Sequence, residues 1–149
     1  MLASVFEKLQ DAVVARLNRR SDLEGVPVIA RRNGSIAAKI KENVAKCGLC
    51  VIVMPPRPKD ISSSATSPVF TEVTLCVRVV ENAFVSHGKG DAYATAEIVS
   101  RALQAWTPSV TGITAALAMD SDDAWSMDDE PDKYGRYTIE INFLTSASV

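Results

Sequence analysis

Two stretches in which apolar and polar residues alternate constrain the fold of this chain more than any other feature. They lie near the middle of the sequence and close to its C-terminus. Successive side chains of a strand point to opposite faces of a sheet, so each stretch predicts a long strand with one buried and one polar face. The buried positions are Val73, Leu75, Val77 and Val79 in the first stretch and Tyr137, Ile139, Ile141 and Phe143 in the second.

The remaining periodic segments predict helices and shorter strands around these two. Helical spacing indicates a first helix that begins at Leu2 and ends around Asn18 to Ser21, a second after Ser35 that ends near Cys47, and a third after Asp91. Short strands are predicted at 26–31, 49–54 and 113–119. The expected order is α-β-α-β-β-α-β-β. We therefore predict a single α+β domain over 1–149, with a mixed or mainly antiparallel sheet of about five strands packed with three helices.

Length and charge add a second constraint. The chain has 149 residues, one ordinary domain, and no apolar run approaches the roughly 20 residues of a membrane span. Glu7 and Asp11 interrupt any early apolar region, so no secretory signal is expected. The net charge of −2 conceals a division: residues 1–59 hold 11 Lys and Arg against 5 Asp and Glu, whereas residues 60–149 hold 5 against 13. The chain is therefore electrically polarised.

Two segments are predicted to be loops. Residues 55–69 contain four prolines and a serine-rich run, a length that favours a functional or mobile connection. Residues 120–132 contain seven acidic residues, with Trp125 and Met127 among them. An EF-hand does not fit, since its sixth and twelfth positions counted from Asp120 are Trp125 and Pro131. The candidate interface or lumen residues are Asp120, Asp122, Asp123, Trp125, Met127, Asp128, Asp129, Glu130 and Asp132.

Three interpretations of this acidic segment stay open at the level of sequence. It is a solvated hairpin-like loop, a negative surface that meets a basic partner or repels nucleic acid, or a calcium-stabilised module. An apolar pair inside an acidic run is typical of a contact surface.

The residues offer no catalytic set. Cys47 and Cys50 have a C-x-x-C spacing, but a helix is expected to end near Cys47 with Gly48 in a left-handed cap, so the thiols are interpreted as structural. A single histidine, His87, and the absence of a metal-ligand spacing or glycine-rich loop argue against an enzyme. We expect no catalytic residue, no cofactor and no metal.

Five segments, followed by the final strand, come in an order known from one group of proteins: Leu2–Phe6, Val26–Ile29, Met54–Pro56, Phe70–Asn82 and Leu103–Trp106. This order resembles the small tail-terminator and tail-completion (neck) proteins of tailed bacteriophages and prophages, in particular the lambda-type terminator. The resemblance implies an α+β fold and a homo-oligomeric, hexameric ring that caps the tail tube and joins it to the head connector.

The resemblance also implies partners and location. It implies contacts with the tail-tube protein and the head–tail connector protein, and DNA passing through the lumen without sequence-specific binding. It implies residence in the virion, at the tail or neck, after assembly in the host cytoplasm, with no membrane partner. The alternatives are another head–tail connector or baseplate subunit and, from a different class, a small ligand-binding domain or enzyme with the 55–69 loop as a lid. That last alternative predicts a pocket under the loop with a titratable pair.

Overall fold

The fold is a seven-stranded mixed sheet with two α-helices, as seen in a computed structural model of the chain. The structure describes residues 4–32, 42, 44, 48–62, 66, 68–82, 85, 91–133 and 135–149. The helices are α1 (Val5–Asn18) and α2 (Ala92–Leu103), with a short 3₁₀ turn at Ser21–Leu23. The strands are β1 (Val28–Ala30), β2 (Leu49–Val53), β3 (Arg57–Ile61), β4 (Val69–Asn82), β5 (Ala118–Met119), β6 (Trp125–Met127) and β7 (Arg136–Ser148).

The two long strands predicted from alternation form the centre of the sheet. Strands β4 and β7 pair antiparallel along most of their length, with one irregularity between Phe70 and Val73. Strand β2 lies beside β4 and carries β1 on its outer side, the one parallel pair among the described strands. Strand β3 pairs with the first part of β4, whereas β5 and β6 pair with β7 on the opposite side. The described sheet therefore has β1 and β3 at one edge and β5 and β6 at the other.

Both helices pack on one face of this sheet. The alternating positions of β4 and β7 turn their apolar side chains toward them, and the largest fully buried side chains come from both layers. They include Phe143, Leu75, Ile139, Ile141, Leu9, Leu17 and Leu103. The apolar face of α1 therefore packs against the chain's own sheet.

Polar side chains fix where the helices begin and how they attach. Ser4 Oγ accepts a hydrogen bond from the Glu7 amide at 3.1 Å, so it caps α1, and Asp91 Oδ1 accepts one from the Ala94 amide at 2.8 Å, so it caps α2 as predicted. The buried Gln10 donates to the carbonyl oxygens of Arg31 and Val53 at 2.9 and 3.1 Å. This one amide anchors α1 to the β1–β2 edge of the sheet.

The predicted class is confirmed, but the strand count was wrong. The structure has seven strands rather than about five, because the segments predicted as loops at 55–69 and 120–132 each contain a strand, β3 and β6. Strand β3 is exposed along its whole length and includes Pro58, so it carries no apolar alternation that a sequence pattern could detect. The strand predicted at 113–119 is shorter, with Ile113 reduced to an isolated bridge to Ala147.

The helix count also differs from the prediction. The described residues form two α-helices rather than three. The second predicted helix, from Ser35 to Cys47, lies outside the described residues except for Glu42 and Val44, which have helical backbone. The boundaries of a single domain over 1–149 remain a prediction.

Candidate functional site

The acidic segment, residues 120–132, leads through β6 into a tight turn before β7. At this turn Gly135 has a φ of +77°, and its amide donates to the Asp132 carbonyl at 2.9 Å. The Asp132 carboxylate accepts from both the amide and the Nε of Arg136, at 2.9 and 3.0 Å. The hairpin interpretation of the segment therefore fits its backbone, with a strand inside it.

Three of the seven acids have local structural roles. Besides Asp132, Asp120 Oδ1 accepts from the Asp122 amide at 3.0 Å and Asp128 Oδ2 accepts from the Thr138 amide at 3.1 Å. These contacts shape the turns at either end of β6. The side chains of Asp122, Asp123, Asp129 and Glu130 are exposed.

The two apolar residues of the segment have different environments. Trp125 is half-buried against the helix-covered core, and its indole Nε1 donates to Ser100 Oγ on α2 at 3.0 Å. Met127 is 45% exposed at the edge of the sheet. Trp125 therefore attaches β6 to the fold, and Met127 is the member of the pair that an external partner could contact.

Asn142 and a pair of tyrosines near the segment have roles that sequence patterns did not single out. Asn142 is buried, and its Nδ2 donates to the Asp123 carbonyl at 3.0 Å, which holds the acidic segment against β7. Tyr137 and Tyr93 join their hydroxyls at 3.3 Å beside the acidic turn. That hydrogen bond, with desolvation and the carboxylates of Asp128 and Asp129, raises the pKa of Tyr137 to about 12. The sequence placed Asn142 on the polar face of a predicted strand. Because polar residues at such positions are common, the pattern did not indicate its role.

A metal site does not emerge among the described residues, where no three His, Cys, Asp or Glu side chains are arranged to hold an ion. The carboxylates of Asp120, Asp128 and Asp132 accept from backbone amides, and that of Asp132 also accepts from Arg136 Nε. A calcium-stabilised module therefore has no geometric support in the part of the chain that the structure describes.

A second candidate surface lies on the sheet face opposite the helices. It is a groove of about 460 Å³, here called the arginine groove, whose charged lining residues are Arg31, Arg57, Arg78 and Glu140. Arg78 Nε donates to Glu140 Oε1 at 2.8 Å across the β4–β7 pair. Pro55 and Pro56 form part of the rim, so the groove borders the segment predicted as a lid. The sequence placed Arg78 and Glu140 on the polar face but gave no sign of a groove.

The thiol of Cys76 also lines this groove. Burial, with a smaller contribution from the Glu140 carboxylate, raises the pKa of Cys76 to about 11. The thiol is therefore protonated near neutral pH and is a poor nucleophile. Cys50 is fully buried in β2, and Gly48 has the left-handed backbone expected of a helix cap, with φ +72° and its amide donating to the Val44 carbonyl at 2.9 Å. Cys47 lies outside the described residues.

Comparison with known proteins adds one similarity in structure. No model of a known protein family matches the sequence, and no curated protein matches it. A chain from the solved structure described as "Virion of native gene transfer agent (GTA) particle" matches with a TM-score of 0.67 and 19% identity. The match covers 99% of this chain and 100% of that chain, so the two share a fold over their whole length.

Among the described residues, no helix combines the length and the hydropathy that crossing a membrane would require.

Proposed function

We propose that this protein is a structural subunit of a phage-like virion, with no catalytic role and no cofactor. The observation that carries the proposal is the full-length structural match, because the matched chain belongs to a gene transfer agent particle and neither chain has a large part left over. The Cys76 thiol in the arginine groove has a raised pKa and is protonated near neutral pH, so we assign it no nucleophilic role.

Within that class we propose a tail terminator: a ring, hexameric by resemblance, that caps the tail tube and joins it to the head connector. Its partners would be further copies of itself, the tail-tube protein and the connector protein, with DNA passing through the lumen without sequence-specific contacts. It would reside at the tail or neck of the virion after assembly in the host cytoplasm, with no membrane partner. A connector or baseplate subunit is the alternative within the class.

The distribution of charge supports self-assembly. Basic residues of the first part of the chain lie at or near the β1–β3 edge, including Arg31, Arg57 and Lys59. The acidic segment lies at the opposite, β5–β6 edge. A subunit with opposite charges at opposite edges is suited to head-to-tail contacts, which close into a ring when the rotation between neighbours allows.

The proposal is tested by deleting the gene and examining particles produced by the cell that encodes it. We expect heads and tails that no longer join, and restored joining when the chain is supplied from a plasmid. Neighbouring genes for tail-tube, tape-measure and portal proteins would support the same class. Normal joined particles that lack the chain would contradict the proposal.

The arginine groove supports a second candidate, a small ligand-binding domain. The groove has a volume within the range of small-molecule sites and contains an ion pair, as that alternative predicted. It is open and polar, and a carboxylate-bearing ligand would suit its arginines. Calorimetric titration with small dicarboxylates and phosphates tests this candidate; heats absent at millimolar concentration would remove it.

A further inference from the structure

We propose that the arginine groove binds the acidic turn of a second copy of this chain, through the exposed carboxylates of Asp129 and Glu130. The inference rests on the proposed function, since it names the contact by which neighbouring subunits of the assembly would recognise each other. The groove is the receiving surface, and the turn between β6 and β7 is the inserted one.

The groove contains two arginines that form no ion pair with the described residues of their own chain. Its charged lining consists of three arginines and one glutamate, a net charge of +2. Arg78 is paired with Glu140, whereas neither Arg31 nor Arg57 has a carboxylate within 4 Å among the described residues. A guanidinium presents a planar array of donors that matches a carboxylate in two parallel hydrogen bonds. Arg31 and Arg57 therefore leave this recognition capacity unused.

The acidic turn carries the complementary groups. Asp129 and Glu130 are exposed, and the described residues place no lysine or arginine within 4 Å of either carboxylate. Asp128 and Asp132, on either side, are held by hydrogen bonds to Thr138 and Arg136, so the turn that presents the two carboxylates is structured. A preorganised turn loses less conformational entropy on binding than a mobile one.

Arg57 of the groove and the acidic turn of the same chain lie far apart. Arg57 is level with Thr74 of β4 and hence with Leu144 of β7, whereas Asp128 is hydrogen-bonded to Thr138. Six residues of β7 separate those levels, roughly 20 Å along the strand at 3.3 Å per residue. Strands β4 and β7 also intervene across the sheet, so three strand spacings add about 14 Å. The contact with Arg57 is therefore intermolecular and joins the groove of one subunit to the β5–β6 edge of a neighbour.

A second copy fits the groove better than nucleic acid does. Glu140 stands beside Arg78 in the groove, and Glu72 faces Lys59 on the adjacent strands at 3.4 Å. The continuous phosphodiester backbone of a nucleic acid would be repelled by these carboxylates. A short turn with two acidic side chains can contact Arg31 and Arg57 alone. The alternation of charge favours a protein segment as the occupant.

Charge reversal tests the contact. Arg57→Glu and Asp129→Arg, each purified alone, are expected to weaken association between neighbouring subunits at least about tenfold, because each places like charges face to face. Mixing the two variants restores association, since the reversed groove of one meets the reversed turn of the other. Arg31→Glu supplies an independent groove variant. Subunit affinity is measured by analytical ultracentrifugation at low salt, and raised salt weakens the wild-type assembly.

Matched controls keep the test specific. Lys8→Glu and Glu97→Arg make the same charge changes at exposed positions on α1 and α2, and both leave the affinity within about twofold of wild type. Circular dichroism and thermal midpoints check that every variant folds. If the wild type forms an oligomer and neither Arg57→Glu nor Arg31→Glu changes its subunit affinity, the inference is overturned while the proposed virion role stands. The inference would also be overturned if the two groove variants lost binding to a duplex DNA fragment while their oligomer mass stayed that of the wild type. A wild-type chain that is monomeric at every salt concentration would also contradict the ring.

Discussion

Gly48 shows how a single residue joins two parts of the fold. Its φ of +72° lies in the left-handed region, where a residue with a side chain loses about 1–2 kcal/mol. A Cβ at this position would also overlap the carbonyl oxygen of Val85. The Gly48 carbonyl in turn accepts from the Asn82 amide at 2.9 Å, at the end of β4. Glycine is required here by both backbone conformation and space.

Replacing Gly48 by alanine is therefore expected to lower the free energy of unfolding by about 2–4 kcal/mol, measured by urea denaturation. Gly25→Ala is the control, because Gly25 has a similar φ of +81° at an exposed position. Equal losses in the two variants would contradict the close approach to Val85.

The thiol of Cys76 makes a prediction about pH. Its folded pKa of about 11 lies above the ordinary value of 9.0, so the folded state holds the proton more tightly than the unfolded chain. The resulting stability is complete below pH 9 and is lost as the pH rises toward 11. Relative to Cys76→Ser, which does not titrate there, the wild type should lose about 1 kcal/mol across this window, a value reduced for the partial exposure of the site. A constant difference between the two proteins from pH 8 to 11 would contradict this.

At the level of elements, strand β6 depends on a side chain rather than on its own sequence. A strand of three residues is too short to be stable alone. Trp125 attaches it to α2 through its hydrogen bond to Ser100. The Ser100 hydroxyl in turn donates to the Ala96 carbonyl at 2.8 Å. The acidic segment is thereby held in a fixed position relative to the helix layer.

Trp125→Phe is expected to destabilise the fold by about 1–2 kcal/mol, because it removes the hydrogen bond to Ser100 and some buried surface. Met127→Ala, on the same strand but exposed, should change stability by less than about 0.5 kcal/mol. Thermal denaturation of both variants, with Ser100→Ala completing a double-mutant cycle against Trp125→Phe, measures the coupling. If the stability losses of the two single variants simply add up in the double variant, the coupling energy is zero and the hydrogen bond is not stabilising.

The same elements show what sequence could and could not predict. Alternation revealed β4 and β7 because each buries one face along its length, and the caps at Asp91 and Gly48 follow from local chemistry. Strand β3 was missed because it is a polar edge strand that forms only when β4 offers its hydrogen-bonding groups. The arginine groove was missed for a related reason. Its arginines come from separate segments that meet only in the folded sheet.

For the molecule as a whole, the division of charge along the sequence becomes a division across the sheet. Arg31 and Arg57 of the groove lie toward the β1–β3 edge, and the acidic segment lies at the β5–β6 edge. Helices α1 and α2 cover one sheet face, and Val44 packs with Cys50, Ile52, Met54 and Val80 in a smaller cluster on the other face, beside the groove. Among the described residues, the groove and the two sheet edges are the surfaces that we assign to contacts with other subunits. This arrangement links the charge pattern to the proposed virion role.

The central claim, that the chain is a subunit built to assemble with copies of itself, is tested most directly by native mass spectrometry of the purified protein at low ionic strength. The account predicts a single closed assembly whose mass is a small-integer multiple, six by resemblance, of the 16.0 kDa chain. A mass of 16.0 kDa at every protein concentration, with and without tail-tube protein, would contradict it.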